Sequence, residues 1–271
     1  AAGDAQAKGF LIGATSGRTT LNGEGLQHQD GHSHILSSTI PNCLSYDPAF
    51  AYEVAVIIKD GIKKMYVDQE NYFYYITTTN ENYEHPKMIE GSEEAIIKGM
   101  HKIESSKNPA VRLIGSGAIL RESIKAKDIL KNYNIDSEVW SVTSFNLLRK
   151  DGMEVERFNQ LNPDLDEKLS YVEQCFDRKS IPVVASTDYM RSYAEQIRPY
   201  INSSYTVLGT DGFGRSDSRE MLRGFFEINA NNIVRASAYS LFKEGVIDKV
   251  QLDKIYLDMG VDPSKPNPWE A

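Results

Sequence analysis

Apolar and polar positions along this chain switch between a period of two and a period near 3.6, which predicts a repeated alternation of strands and helices. Phe10-Leu-Ile-Gly-Ala14 is a short apolar run, and Ala1-Ala-Gly-Asp-Ala-Gln-Ala-Lys-Gly9 before it predicts a helix that runs into this strand. Pro41-Asn-Cys-Leu-Ser-Tyr46 predicts a second short strand. Asp47-Pro48 then offers a helix cap and a first-turn proline, and Phe50, Val54, Ile57 and Ile58, with Met65 beyond, repeat as one buried helical face. Tyr72-Phe-Tyr-Tyr-Ile-Thr-Thr78, aromatic and β-branched throughout, predicts a buried strand. Strand, helix and strand in that order imply a parallel sheet with a crossover helix.

Periodicity is lost over 79–92, which carries polar and breaker residues and predicts a domain boundary near residue 90. A second alternation follows. The pattern predicts a helix from Ser92 or Glu93 to about Ser105, a strand over 111–115 turning at Ser116-Gly117 into a helix over 119–132, and strands over 138–143, 181–186 and 205–209. It also predicts a helix from Asp188 to about Tyr200, and helices near 218–225, 229–244 and 248–258. Both halves, 1–90 and 91–271, therefore read as α/β with open doubly wound sheets.

Composition narrows the function classes. The 271 residues allow two domains, and 41% apolar content with 25% charge suits a globular chain with sizeable cores. Thirty basic against thirty-eight acidic side chains, net -8, argue against a general nucleic-acid or anionic-membrane binder. Cys43 and Cys175 alone make neither a disulfide framework nor a zinc ribbon. With no run of eighteen apolar residues and no leader-like start, a cytoplasmic location is expected. The chain does not begin with Met and reads as a fragment.

Chemistry-bearing residues concentrate in 18–34, which holds His28, His32 and His34, the carboxylates Glu24 and Asp30, and three glycines. Glycine permits close backbone approach, while His and Glu move protons near neutral pH, so this is a binding or catalytic loop rather than core. The alternatives are a polar loop whose histidines cap neighbouring backbone, and a metal site built from His28, His32 and His34; helical His-x-x-x-His geometry is disfavoured by Gly25 and Gly31. Leu113-Ile-Gly-Ser-Gly-Ala118 has half of a phosphate-binding turn, with Leu120 in the final glycine position, and reads as a packing turn. Over 209–219, Asp211, Arg215, Asp217 and Arg219 alternate in sign, which predicts an internal salt-bridge lattice or the lining of a cleft at a domain or subunit boundary. Neither a G-x-S-x-G elbow nor a P-loop is present.

Several segments carry a resemblance. Gly23-Glu-Gly-Leu-Gln-His28-Gln29 resembles the G-x-D-G-x-x-H-Q segment in the pyrimidine-binding domain of transketolase-like thiamine diphosphate enzymes, with Gly25 directly after Glu24 in place of the Asp. Gly209-Thr-Asp-Gly-Phe-Gly214 resembles the G-x-D-x-F-G turn of their C-terminal domain. The segments 2–4, 9–13, 15–28, 76–78, 80–83, 142–145, 185–190 and 209–220 together are similar to the homodimeric bacterial pyruvate dehydrogenases within that family.

The resemblance implies that residues 1–90 are the C-terminal half of a pyrimidine-binding domain and 91–271 a transketolase C-terminal-like domain. It implies thiamine diphosphate and Mg2+ as cofactors, most of whose ligands would lie upstream, pyruvate as substrate, a homodimer, and a dihydrolipoyl acetyltransferase component with its lipoyl domain as partner. His28 would orient the substrate and deliver a proton during lipoyl acylation. Glu24, Gln27 and Asp30 would lie near substrate or cofactor, with pairing to Arg18 as the alternative for Glu24, and His32 and His34 would be supports. Asp211, Arg215, Asp217 and Arg219 would form a structural or interface loop. An incomplete first domain would expose apolar surface, and the fragment alone would be inactive. A non-catalytic dimerisation or regulatory module of the same fold is the competing reading.

Overall fold

The computed structural model of the chain describes residues 1–14, 16–177 and 179–270. Thr15, which opens the longest of the resembling segments, lies outside the described residues. The first sheet has three parallel strands, β1 (Phe10–Ala14), β2 (Cys43–Tyr46) and β3 (Phe73–Thr78), in the order β1-β3-β2. α1 (Ser33–Ser37) precedes β2, and α2 (Ala51–Ile62) carries the crossover from β2 to β3. Ile57 of α2 and Met65 just beyond it bury against Leu44, Tyr46, Tyr74 and Ile76. Leu11 and Ile12 of the edge strand β1 stay 54% and 50% exposed, so this sheet does leave apolar surface in the open.

The second sheet has five strands, β4 (Met100–Glu104), β5 (Val111–Gly115), β6 (Ser137–Val142), β7 (Val183–Ser186) and β8 (Tyr205–Leu208), in the order β4-β6-β5-β7-β8. Only β4 runs antiparallel. Successive side chains of a strand face opposite sides. Leu113, Val139 and Val184 accordingly join the core under α4 (Leu120–Lys131), α9 (Ala230–Lys243) and α10 (Lys249–Asp258). Ile114, Trp140 and Ala185 enter the core under α5 (Phe145–Leu161), α6 (Tyr171–Phe176) and α7 (Arg191–Glu195). α3 (Glu93–Lys98) links the two sheets in sequence, and α8 (Arg219–Phe225) follows β8. No helix among the described residues is long and apolar enough to cross a membrane.

The structure departs from the periodicity in five places. Residues before Gly9 form turns rather than a helix, as a short segment with no buried apolar face cannot sustain one. Asp47 does not cap α2; Glu53 Oε2 does, accepting the Ala49 and Phe50 N–H at 2.6 and 3.0 Å. The helix expected to reach Ser105 stops at Lys98, because Gly99 takes φ +115 and redirects the chain into β4. α5 and α6 fill the 143–181 interval left unassigned by periodicity, although Ser144 and the Ser170/Glu173 capping box mark their starts. The helix expected from Asp188 shrinks to α7, since Asp188 and Tyr189 are engaged in contacts with other segments.

Candidate active site

The chain leaves β5 for β6 on one side and returns to β7 on the other, so the carboxyl ends of β5 and β7 flank a topological switch point. Open α/β sheets bind ligands in that crevice. Here it receives residues from the first sheet. Asp47, one residue after β2, is fully buried. Its Oδ1 accepts the Thr77 hydroxyl at 2.7 Å and its Oδ2 accepts the Ser116 hydroxyl at 2.8 Å. The Asp47 N–H donates to Thr143 O at 2.7 Å, and the Gly117 N–H donates to Asp47 O at 3.0 Å. Gly117 lies at φ +50, and a Cβ there would stand 2.6 Å from both carboxylate oxygens, so only glycine permits this approach. Burial pushes the Asp47 carboxyl up to about 6 against the two hydroxyl bonds that lower it.

Asp188, two residues after β7, is the second buried carboxylate of the crevice. The Thr19 N–H and hydroxyl donate to its two oxygens at 3.1 and 2.8 Å, and the Arg18 N–H donates to its carbonyl at 3.2 Å. Burial pushes Asp188 up to about 7, opposed by the Thr19 bonds and the nearby Arg223. His34 sits wholly buried, stacked on Tyr193 at 4.8 Å and edge-on to Tyr189 at 4.7 Å. The Thr77 hydroxyl proton goes to Asp47, so the His34 Nε2–H donates to Thr77 Oγ1 at 2.9 Å. Burial pushes His34 down to about 3. Asp47, Asp188 and the role of Thr19 escaped the sequence reading; the available signal was a carboxylate just past an apolar strand, at the ligand-facing end of a parallel sheet.

From this buried base the 18–34 segment rises to an exposed tip, and the 209–219 segment holds it there. The Gly23 N–H donates to Asp217 O at 2.9 Å, and the Ser216 hydroxyl contacts the Gly23 and Glu24 carbonyls at 2.8 and 2.9 Å. Buried Gln29, which the sequence reading passed over, exchanges two hydrogen bonds with the Arg215 backbone at 2.5 and 2.6 Å. Arg219 donates to Thr20 O at 2.8 Å and to Asn80 at 3.0 Å. Asp211 pairs with Arg191 at 2.7 Å, and Arg215 lies 4.1 Å over the Phe225 ring. The expected lattice among Asp211, Arg215, Asp217 and Arg219 does not form: Asp211 pairs with Arg191, Arg215 lies over Phe225, Asp217 Oδ1 accepts the adjacent Ser218 N–H, and the Arg219 guanidinium turns to the Thr20 carbonyl.

At the tip, a short turn over Leu26–His28 sets His28 above Glu24, and the His28 Nδ1–H donates to Glu24 Oε2 at 2.9 Å. The two side chains are 56% and 48% exposed. The other ring nitrogen of His28 has no partner among the described residues. Glu24 therefore pairs with His28 and not with Arg18, whose guanidinium donates to His32 Nε2 at 3.2 Å. Gln27 is exposed beside His28. Asp30 Oδ1 accepts the His32 and Ser33 N–H at 3.0 Å each, which turns the chain into α1. The three histidines of the loop face three different partners, and no group of three His, Cys, Asp or Glu among the described residues could hold a metal ion.

Comparison with known proteins gives this arrangement a family. Residues 1–86 match the pyruvate dehydrogenase E1 component middle domain, and 99–229 match the transketolase-like C-terminal domain. The pyruvate dehydrogenase E1 component of Pseudomonas aeruginosa is 55% identical over 276 residues, covering 100% of this chain and 31% of that protein. That of Escherichia coli K12 is 55% identical over 273 residues, covering 99% and 31%. The chain thus spans about a third of the length of the curated relatives it matches. Among solved structures, a Pichia stipitis transketolase mutant superposes with a TM-score of 0.67 at 15% identity, covering 88% of this chain and 31% of that one, a likeness of fold.

Proposed function

We propose a function from one premise, that the chain belongs to the pyruvate dehydrogenase E1 family, as a middle-domain segment followed by a transketolase-like C-terminal domain. In this reading the domains divide near residue 90, and the chain is part of a thiamine diphosphate-dependent 2-oxo acid dehydrogenase of the bacterial cytoplasm. That enzyme decarboxylates pyruvate and reductively acetylates the lipoyl group of the acetyltransferase component, and it acts as a homodimer. The observation that carries the reading is the exposed Glu24–His28 pair, held at 2.9 Å on a loop anchored in a switch-point crevice.

In this reading most of the ligands of thiamine diphosphate and Mg2+ lie outside this chain. No three metal-ligating side chains converge among the described residues. The buried polar atoms that lack partners, among them Arg18 Nε, His34 Nδ1 and the Tyr189 and Tyr193 hydroxyls, belong to side chains closed off from solvent. What the chain supplies is proton handling and orientation. Glu24 accepts the Nδ1–H of His28 and fixes the ring; in the imidazolium form the second ring N–H donates to the carboxylate or carbonyl oxygen of pyruvate and passes its proton to the lipoyl sulfur that leaves as the S–S bond breaks and the other sulfur is acylated. Gln27 and Asp30 line or shape the same loop, Arg215, Asp217 and Arg219 support it from the segment after β8, and Asp211 ties that segment to Arg191.

The test is pyruvate-dependent acetylation of a free lipoyl domain with thiamine diphosphate and Mg2+. The full-length protein should turn over and the isolated 271-residue chain should not. Turnover by the isolated chain, or none by the full-length protein, overturns the reading.

A further inference from the structure

The loop that carries His28 is anchored at both ends on one short turn of the other sheet's unit, and one carboxylate makes the anchor at its entry. At its entry, the Arg18 N–H meets the Asp188 carbonyl at 3.2 Å, and the Thr19 N–H and hydroxyl take the two Asp188 oxygens at 3.1 and 2.8 Å. At its exit, the Met190 N–H donates to Gly31 O at 3.1 Å. Gly17, at φ +97, passes so close that any Cβ would collide with the Asp188 carboxylate. The Asp188 carbonyl is itself held by the Thr210 hydroxyl at 2.9 Å, and Arg223 Nε reaches Thr19 Oγ1 at 3.3 Å while its Nη2 pairs with Glu81 at 2.6 Å. Asp188 is 2% exposed, so no water competes for these bonds.

A carboxylate buried this way is costly unless its acceptors are filled, and both are filled from one residue of the opposing loop. A salt-bridging or core role would not need a glycine with positive φ to bring the loop backbone onto the carboxylate. We infer that Asp188 is a positioning residue: it fixes the entry of the 18–31 loop across the junction between the sheets and thereby sets where Glu24 and His28 stand. The inference rests on the reading that makes His28 functional. The switch-point crevice, which in open sheets takes a ligand, here takes a loop, and the chemistry is displaced to the loop's tip.

The experiment uses the full-length protein and two variants. Asp188→Asn keeps the shape but presents an amide donor where two Thr19 donors converge, and Thr19→Val removes one of those donors. Hydrogen exchange of the amides over 17–32 should accelerate about tenfold or more in both, the scale of losing one charge-assisted bond, while amides of β5 and β6 keep their protection. Thr19→Ser, which retains the hydroxyl, should restore the slow exchange. Lipoyl acetylation per folded active site should fall about tenfold in the first two variants and recover in Thr19→Ser, a pattern that general destabilisation would not give. Unchanged loop exchange in Asp188→Asn overturns the inference. Accelerated exchange with undiminished turnover supports the anchor and overturns instead the role proposed for His28.

Discussion

The base and the tip of the 18–34 loop use the same residue types in opposite ways. At the base, Asp47, Asp188 and His34 are buried, each of their bonds is made to protein, and their proton affinities are displaced far from ordinary values. At the tip, the Glu24 and His28 side chains face solvent and, among the described residues, hydrogen-bond only to each other. Burial turns a titratable group into a fixed strut, because its charged form is disfavoured and its geometry is locked. Exposure leaves the pair open to solvent. Holding and, in the proposed function, reacting thus fall to opposite ends of the loop, and substitutions at the two ends should differ in kind.

The largest effect on stability is expected at the base. Asp47→Ala, measured by urea unfolding at pH 5, should cost about 3 kcal/mol, since it removes the shortest partner of the buried Thr77 and Ser116 hydroxyls and leaves a void; a cost below about 1 kcal/mol would mean the junction is not held there. The pH dependence sharpens this. Folded Asp47 keeps its proton up to about 6, whereas the ordinary value is 3.8, so between those limits the folded state binds the extra proton. Its favourable contribution is complete below about 4 and is lost as pH rises towards 6. The stability of the unaltered protein relative to Asp47→Asn should therefore fall across that window, and a difference that stays flat or grows would contradict the assignment.

Gly117→Ala should follow at about 1–3 kcal/mol, because it forces a side chain into φ +50 against the Asp47 carboxylate. The smallest effect belongs to the tip: Glu24→Gln removes an exposed pair and should change unfolding by less than about 1 kcal/mol. A larger loss there would erase the distinction between the two ends.

Much of this was legible in the sequence. The parallel strands stood out as apolar or aromatic runs, and α8, α9 and α10 fall within a residue or two of where the 3.6 period puts them, because each buries one clear face. The histidine-rich loop was legible from composition, and the resemblance singled out His28 within it. β4 was hidden because Met100 and Ile103 continue the helical spacing of Ile96, although the chain turns between them at Gly99, φ +115. The charged residues of 209–219 announced a loop but not its partner, since pairing across nearly two hundred residues leaves no local trace. Asp47 and Asp188 read as helix starts for the same reason: Asp before a helix is a common cap, and only the meeting of two sheets makes it a buried strut.

His28→Ala in the full-length protein separates a reacting tip from a holding base. Lipoyl acetylation should fall about a hundredfold or more, the scale of a lost general acid or base, with the unfolding midpoint in urea unchanged. Turnover equal to that of the unaltered protein, or a collapse of stability in its place, would contradict that separation.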